Sequence, residues 1–249
     1  MAVLALGAAL AVWKVSFPSV NDMTFKMDYI GLQRAPGNVL ILRPTHFADS
    51  ARHGDVSYAR DLKSEEPVMR IMGRKVSFQQ VIATAYSCAP DRIILPLDAP
   101  KGDYDFLVTL AEKQNEHLQV AIKKKLGFVA SWEPRETEVL SLKIKTPNAP
   151  ALKPSASGQR TGISVQNGRL ECTHTRFVYL SGLLENALKQ PVLDKTGQTN
   201  YYDFSVDFDW NRSGDAPDRA AVDNVLNAIG LELQTDTASM PMVVVKKVR

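Results

Sequence analysis

The sequence predicts an α+β fold built by tandem duplication of a small α-β-β-α-β-β unit with mixed and antiparallel sheets. Two observations predict it. Segments of alternating apolar and polar residues, which favour half-buried strands, are interspersed with segments whose apolar residues recur at helical spacing. The same order of segments then recurs about one hundred residues further along the chain. Hydrophobic residues make up 45% of the 249 residues, which is enough for a buried core in each copy.

The first copy contains two predicted helices. One begins after Ser77, because Ser77 and Gln80 form a capping box in which each side chain can bond the backbone N–H of the other. Pro90 is expected to end it. The other is expected to start at Asn115 and to close at Gly127, the residue type that most readily adopts the left-handed conformation at a helix C-terminus. Strands are expected at residues 39–43, 69–76, 92–96 and 104–110, and as a closing hairpin at 128–132 and 139–144.

The second copy opens with Asn167-Gly168 between two strand-like runs, the strongest short-range hairpin signal in a sequence. Two helices follow, at residues 180–188 and 220–229, and Gly230 closes the second in the same way as Gly127 closes its counterpart. Strands are expected at residues 163–166, 169–173, 192–193, 202–210, 231–235 and 242–248.

These elements divide the chain into five predicted regions. Residues 1–17 are a signal peptide or membrane anchor, and residues 18–37 are a mostly polar lead-in with room for a short helix. The first repeat covers residues 38–145 and the second covers residues 162–249. Residues 146–161 between them are rich in proline, alanine and serine, a composition typical of a linker.

The repeat is visible in residues as well as in order. Tyr104-Asp105-Phe106 in the first copy corresponds to Tyr202-Asp203-Phe204 in the second. Alternate side chains of a strand point to opposite faces, so the Tyr and Phe share a buried face while the Asp points the other way or bonds backbone groups of the preceding turn. A structural motif therefore accounts for these residues, and a ligand site is the alternative.

The N-terminal region begins with an apolar run from residue 2 to residue 13. This run is too short for a typical membrane span but fits the core of a signal peptide, and Ala9-Leu10-Ala11 offers a small-x-small cleavage pattern. A positively charged leading segment is missing. Three interpretations stay open: a start upstream, an uncleaved anchor and a buried helix. We expect export.

Charge and metal-ligand spacing exclude several classes of function. The net charge of +3 gives no basic stripe for nucleic acid. The four histidines lack the spacing of a zinc motif, and residues 207–218 resemble a calcium loop but carry Arg212 where the sharp turn needs glycine. Cys88 and Cys172 form no CxxC motif; two buried free thiols are expected, with a disulfide as the alternative. We therefore predict no metal, no cofactor and no catalytic residue.

The second copy also resembles a known family. Residues 192–206, which read Val-Leu-Asp-Lys-Thr-Gly-Gln-Thr-Asn-Tyr-Tyr-Asp-Phe-Ser-Val, are similar to the V-V-D-K-T-G-x-T-x-x-Y-D-F signature of an uncharacterised exported domain family of acidobacterial and verrucomicrobial soil bacteria. The similarity continues through residues 226–233 and 242–245 and includes residues 42–47 and 99–102 of the first copy, so it covers roughly residues 38–249. This resemblance implies an exported or membrane-tethered location and implies no activity.

Together these observations predict a non-enzymatic, extracytoplasmic binding or interaction module. Its partner would be another envelope protein or a second copy of itself, without nucleic acid, and membrane contact would run through the N-terminal segment. A self-associating structural envelope protein and a hydrolase or thiol-linked enzyme are the alternatives. The predicted binding residues all belong to the signature of the second copy: Asp194, Lys195, Thr196, Gly197, Tyr202 and Asp203.

Overall fold

A computed structural model of the chain describes residues 25–47, 54–61, 68–156, 160–166, 169–207 and 218–248. Within these residues it contains five helices and twelve strands, and the predicted α+β class is confirmed. The helices are α1 (Tyr29–Arg34), α2 (Phe78–Tyr86), α3 (Gln114–Leu126), α4 (Phe177–Leu188) and α5 (Arg219–Ala228). The strands up to the middle of the chain are β1 (Leu40–Pro44), β2 (Asp55–Arg60), β3 (Met69–Ser77), β4 (Ile93–Ile94), β5 (Asp103–Val108) and β6 (Phe128–Ile144). The others are β7 (Lys153–Pro154), β8 (Gly162–Gln166), β9 (Arg169–Thr175), β10 (Val192–Asp194), β11 (Tyr202–Asp207) and β12 (Leu231–Lys247).

The chain forms two compact units that do not follow the linear repeat boundaries predicted from the sequence. Described residues within 1–88, 93–131 and 243–249 form the first unit, and those within 89–92 and 132–242 form the second. Strand β6 therefore begins in the first unit and ends in the second, whereas β12 begins in the second and ends in the first. Each repeat contributes the end of its last strand to the other unit.

The first unit is built on an antiparallel sheet with strand order β1-β5-β3-β2. Phe106 of β5 lies opposite Gly73 of β3, and a Cβ atom at position 73 would come within 2.1 Å of the Phe106 ring, so only glycine fits there. Helices α2 and α3 cover this sheet through a core that includes Phe78, Ile82 and Ile122. Ser77 accepts a hydrogen bond from the backbone N–H of Gln80, which confirms the predicted cap of α2.

The second unit repeats this plan in an antiparallel sheet with strand order β7-β11-β9-β8. The strands correspond one by one to β1, β5, β3 and β2 of the first unit. Helices α4 and α5 supply the matching core residues, among them Phe177, Leu184 and Leu226. The predicted Asn167-Gly168 turn lies outside the described residues, but β8 and β9 on either side of it are paired antiparallel.

The two predicted closing strand pairs are the clearest error of the sequence analysis. The predicted hairpin at 128–132 and 139–144 is one 17-residue strand, β6, and the separate strands predicted at 231–235 and 242–248 are one 17-residue strand, β12. The polar residues in the middle of each strand are mostly exposed. Their polarity reflects exposure to solvent rather than a turn.

Two further local predictions were wrong. Helix α3 begins at Gln114 with Lys113 in the N-cap position, two residues before the predicted cap at Asn115, and Lys113 makes no side-chain capping bond. The predicted linker at 146–161 contains the short strand β7, which pairs with β11. Gly127 and Gly230 do adopt the predicted left-handed conformation, with φ of 75° and 79°.

Candidate functional site

The predicted site residues begin with a tight turn after β10. The Asp194 carboxylate accepts hydrogen bonds from the backbone N–H of Thr196 at 3.0 Å and from its hydroxyl at 2.7 Å. The Thr196 oxygen in turn accepts from the N–H of Gln198 at 3.2 Å. Gly197 has a φ of 68°, a left-handed conformation that glycine adopts without strain. Asp194 and Gly197 therefore shape the turn that holds Thr196 and Gln198 in place.

Lys195 faces a different group of residues. Its ammonium donates to Asp236 of β12 at 2.8 Å, and the hydroxyl of the buried Ser141 donates to the same carboxylate oxygen at 2.9 Å. The hydrogen bond from Lys195, followed by those from Ser141 and the Thr237 backbone, lowers the pKa of Asp236 to about 2. Lys195 therefore ties the turn to β12.

Tyr202 connects the turn to the sheet. Its ring stacks on Phe177 of α4 with centroids 4.7 Å apart, and its hydroxyl donates to Oε1 of Gln198 at 2.8 Å. In the sheet it lies opposite Pro154 of β7. The buried ring and the bonded hydroxyl fix the position of the Gln198 amide.

A cavity of about 330 Å³ in the second unit lies beside this turn. Thr196, Gln198 and Tyr202 form one wall. The other wall comes mainly from the predicted linker, which folds through backbone hydrogen bonds from Ala149 to Thr146 and from Leu152 to Ala149. The remaining lining residues are Ile144, Pro147, Asn148, Leu152 and Pro154.

The linker wall is held in place by Gly230. The carbonyl of Gly230 accepts from the backbone N–H groups of Lys145 and Thr146 at 2.9 and 3.0 Å. A Cβ atom at position 230 would lie 2.4 Å from the Cβ of Ala149, which is buried. The absence of a side chain at Gly230 therefore allows the close approach that positions this wall.

Asp203 has a structural contact on the other face of β11. Its carboxylate accepts from the backbone N–H of His174 at 2.7 Å, and His174 is a β9 residue with a left-handed φ of 45°. In the first copy, Asp105 accepts in the same way from Lys75, whose φ is 52°, at 3.0 Å. The Asp of each Tyr-Asp-Phe motif thus stabilises an irregularity in the neighbouring strand.

Three side chains stack next to Asp203. The His174 ring lies 3.9 Å from the Tyr201 ring and almost parallel to it, and the Arg176 guanidinium lies 4.7 Å from the centre of the Tyr201 ring. His174 Nδ1 is also within 3.1 Å of the Ser155 hydroxyl. These contacts fix the outer face of the sheet at the start of β11.

The structure thus separates the six predicted binding residues into groups. Thr196 and Tyr202 line the cavity, and Asp194 and Gly197 shape the turn beside it. Lys195 and Asp203 bond groups elsewhere. Gln198, Asn148 and Leu152 were not among the predicted binding residues. Asn148 and Leu152 lie in the segment 146–161, whose composition indicated a linker, and Gln198 occupies a position that the signature leaves variable.

The sequence predictions on metal ligands, cysteines and the N-terminal segment can also be compared with the structure. Among the described residues, no cluster of three or more His, Cys, Asp or Glu side chains could hold a metal ion. Cys88 and Cys172 do not form a disulfide; Cys172 is buried, as expected, whereas Cys88 is only half-buried. Burial raises the pKa of Cys172 to about 12. The predicted signal segment and the core of the calcium-like loop lie outside the described residues. None of the helices in the described part of the chain has the length and apolar character to cross a membrane.

Comparison with models of known protein families gives a match. A family model described as a protein of unknown function, DUF3738, matches residues 79–248, which is more than half of the chain. The matched region starts in α2 and ends after β12, so it includes the turn, the cavity walls and Gly230. Neither a curated protein nor a solved structure matches the chain.

Proposed function

The chain belongs to DUF3738, a family of unknown function, and we propose that it is a non-enzymatic, extracytoplasmic binding module. In this proposal, the cavity of the second unit binds an uncharged peptide segment of a partner protein. The observation that carries the proposal is the lining of that cavity. Four aliphatic or proline side chains face four uncharged polar ones, and none of the lining residues that the structure describes is charged.

The lining favours an uncharged ligand. An ionised group that enters such a cavity would lose its hydration without meeting an opposite charge, which is energetically costly. Ile144, Leu152 and the two prolines offer apolar surface to an aliphatic side chain. The volume of about 330 Å³ is at the small end of ligand sites, and a peptide would place one or two side chains in it.

The polar groups suit a peptide backbone. A side-chain amide carries both donors and an acceptor, so Asn148 and Gln198 can bond backbone C=O and N–H groups. Oε1 of Gln198 accepts from Tyr202, and its Nε2 bonds no other residue in the described part of the chain. The bonds within the turn fix Gln198 in advance, which reduces the entropy lost on binding.

The neighbouring groups support a role in binding rather than catalysis. The Thr196 hydroxyl donates to Asp194 and accepts from Gln198, so both of its bonds maintain the turn. The nearby carboxylates of Asp194 and Asp203 accept backbone N–H groups. Cys172 has a raised pKa, which keeps its thiol protonated at neutral pH and unsuited to nucleophilic chemistry.

The extracytoplasmic location is supported by the apolar run at residues 2–13. Fusing alkaline phosphatase, which is active only outside the cytoplasm, to the C-terminus of the full chain tests it in a bacterial host. We expect activity that is lost when residues 2–13 are deleted. A second reporter that is active only in the cytoplasm serves as the control. If it is equally active when fused to the full chain and to the chain lacking residues 2–13, the proposed location is contradicted. The binding proposal has its own, separate test.

Calorimetric titration of the full chain tests the binding proposal. The probes are capped pentapeptides of Ala, Leu, Pro, Asn and Gln, together with the same peptides carrying a central Lys or Glu. We expect uncharged peptides to bind and charged ones to bind more weakly. Gln198→Ala should weaken binding roughly fivefold, the effect of one lost hydrogen bond.

Lys101→Ala, in the corresponding turn of the first copy, is the matched control and should leave binding unchanged. Binding that is equally strong for charged peptides, or equally strong in the Gln198→Ala protein, would contradict the proposed site. A complete lack of binding by every uncharged peptide would contradict the proposed ligand class.

A further inference from the structure

Strand β8 forms an unprotected edge of the second sheet. Edge strands expose unpaired backbone groups, and proteins usually protect them with charges, proline or short length. The other edge of this sheet and both edges of the sheet in the first unit carry such protection, in Lys153 and Pro154 of β7, Arg43 and Pro44 of β1, and Asp55 and Arg60 of β2. The five residues of β8, Gly162–Gln166, contain neither a charged residue nor a proline.

The side chains of β8 divide cleanly between the two faces. Ile163 and Val165 lie opposite Cys172 and Leu170, two buried residues of β9, and therefore share the core face of the sheet. Val165 nevertheless remains 42% exposed at the end of that core. Ser164 lies on the other face, opposite Glu171. In the described part of the chain, the edge therefore presents an incompletely covered apolar strip beside backbone groups that pair with no further strand.

We propose that β8 pairs antiparallel with β8 of a second copy of this chain, about a two-fold axis through Ser164. A two-fold axis perpendicular to a sheet places the central residue opposite its own counterpart. Ser164 then faces Ser164 of the second copy, and Ile163 faces Val165 of the second copy. The two four-stranded sheets become continuous across the axis.

This register makes the strand complementary to itself. Each exposed Val165 is covered by Ile163 of the second copy, and pairs of β-branched side chains stabilise adjacent strands. Gly162 meets Gln166 at each end, so no like charges are brought together. The cavity of the second unit takes no part in this contact, so the inference stands independently of the proposed peptide binding.

Charge substitutions at the two-fold axis test the inference. Ser164→Glu places two carboxylates opposite one another, and Glu171 adds a further negative charge on the same face. We expect the full chain to dimerise in sedimentation equilibrium and Ser164→Glu to weaken the dimer roughly fivefold or more. Mixing Ser164→Glu with Ser164→Lys should restore a dimer that native mass spectrometry identifies as mixed, because opposite charges then meet at the axis.

Ser57→Glu provides the matched control, because Ser57 is the corresponding residue of β2, and it should leave the dimer unchanged. Circular dichroism confirms that each variant is folded before its mass is measured. A monomeric wild-type chain at the highest soluble concentration would overturn the proposal. So would unchanged dimerisation of Ser164→Glu, or failure of the Glu and Lys variants to form a mixed dimer.

Discussion

The two copies hold the same backbone frame with different side chains. In the first copy, Asp105 is fully buried and bonds Thr45, Arg43 and the N–H of Lys75. In the second, Asp203 is half-buried and bonds the N–H of His174. Both copies keep the carboxylate that stabilises the strand irregularity. It is enclosed by other residues in the first copy and partly exposed to solvent in the second.

The same contrast applies to the turns before the Tyr-Asp-Phe strands. In the second copy, Asp194, Thr196 and Gln198 bond one another and border the cavity. In the first copy, the corresponding Asp98 reaches out to Lys247 at 3.1 Å. Duplication thus preserved the elements that set the fold, and the copies differ in the contacts of this turn.

The largest expected difference between the copies concerns the glycines that follow α3 and α5. Gly230→Ala should cost about 4 kcal/mol, because a left-handed alanine is strained and its Cβ would collide with Ala149. Gly127→Ala has the same backbone but meets no atom within 4 Å, so about 1 kcal/mol is expected. Native-state hydrogen exchange of the β11 amides measures the stability of the second unit, and exchange of the β5 amides measures that of the first. Equal losses would show that the linker wall does not depend on Gly230.

The next difference concerns the motif carboxylates. Asp105→Asn should destabilise the first unit by about 3 kcal/mol, because Arg43 loses its charge partner in a buried setting. Asp203→Asn keeps an acceptor for the His174 N–H and should cost about 1 kcal/mol. The same hydrogen-exchange measurement gives the loss of stability in each variant. A larger loss for Asp203→Asn than for Asp105→Asn would contradict the difference between the buried and the half-buried carboxylate.

A smaller difference is expected for the motif tyrosines. Tyr202→Phe keeps the stack on Phe177 but removes the bond to Gln198, which should cost about 1 kcal/mol. No residue in the described part of the chain bonds the Tyr104 hydroxyl, so Tyr104→Phe should be nearly neutral. Denaturant unfolding of both variants checks this, and equal losses of stability would show that the bond to Gln198 does not stabilise the second copy.

The smallest effect concerns acid stability. Because the pKa of Asp236 is lowered to about 2, its stabilising contribution is present above the ordinary carboxylate pKa of about 4 and is lost as the pH falls toward 2. Lys195→Met should raise the pKa of Asp236, since Lys195 is the main cause of its depression. Carbon-detected NMR titration of the Asp236 carboxyl measures this, and an unchanged pKa in the variant would contradict the Lys195 contact.

Local signals explain what the sequence predicted well. The capping bond of Ser77, the closing glycines and the alternation of Tyr104 to Val108 depend on neighbours in the chain, so the duplication could be recognised from them. Strands β6 and β12 were predicted wrongly because their exposed polar middles resemble turns. The ends of these strands also belong to different compact units, an arrangement that no local pattern encodes.

The candidate site was predictable in part for the same reason. Thr196 and Tyr202 belong to a recognisable signature and line the cavity. The opposite wall depends on a contact between Ala149 and Gly230, which are far apart in sequence, and on backbone bonds from residues 145 and 146. Composition alone made this segment look like a linker, so Asn148 and Leu152 could not be identified as lining residues.

Binding in the second copy is tested most directly by an amide NMR titration of the full chain with an uncharged capped peptide that binds in calorimetry. We expect shift changes concentrated in residues 144–154 and 196–202 of the second copy. Residues 97–104, the corresponding turn of the first copy, should stay unperturbed. Shift changes centred on residues 97–104, or spread evenly over both copies, would contradict the claim that the second copy carries the binding site.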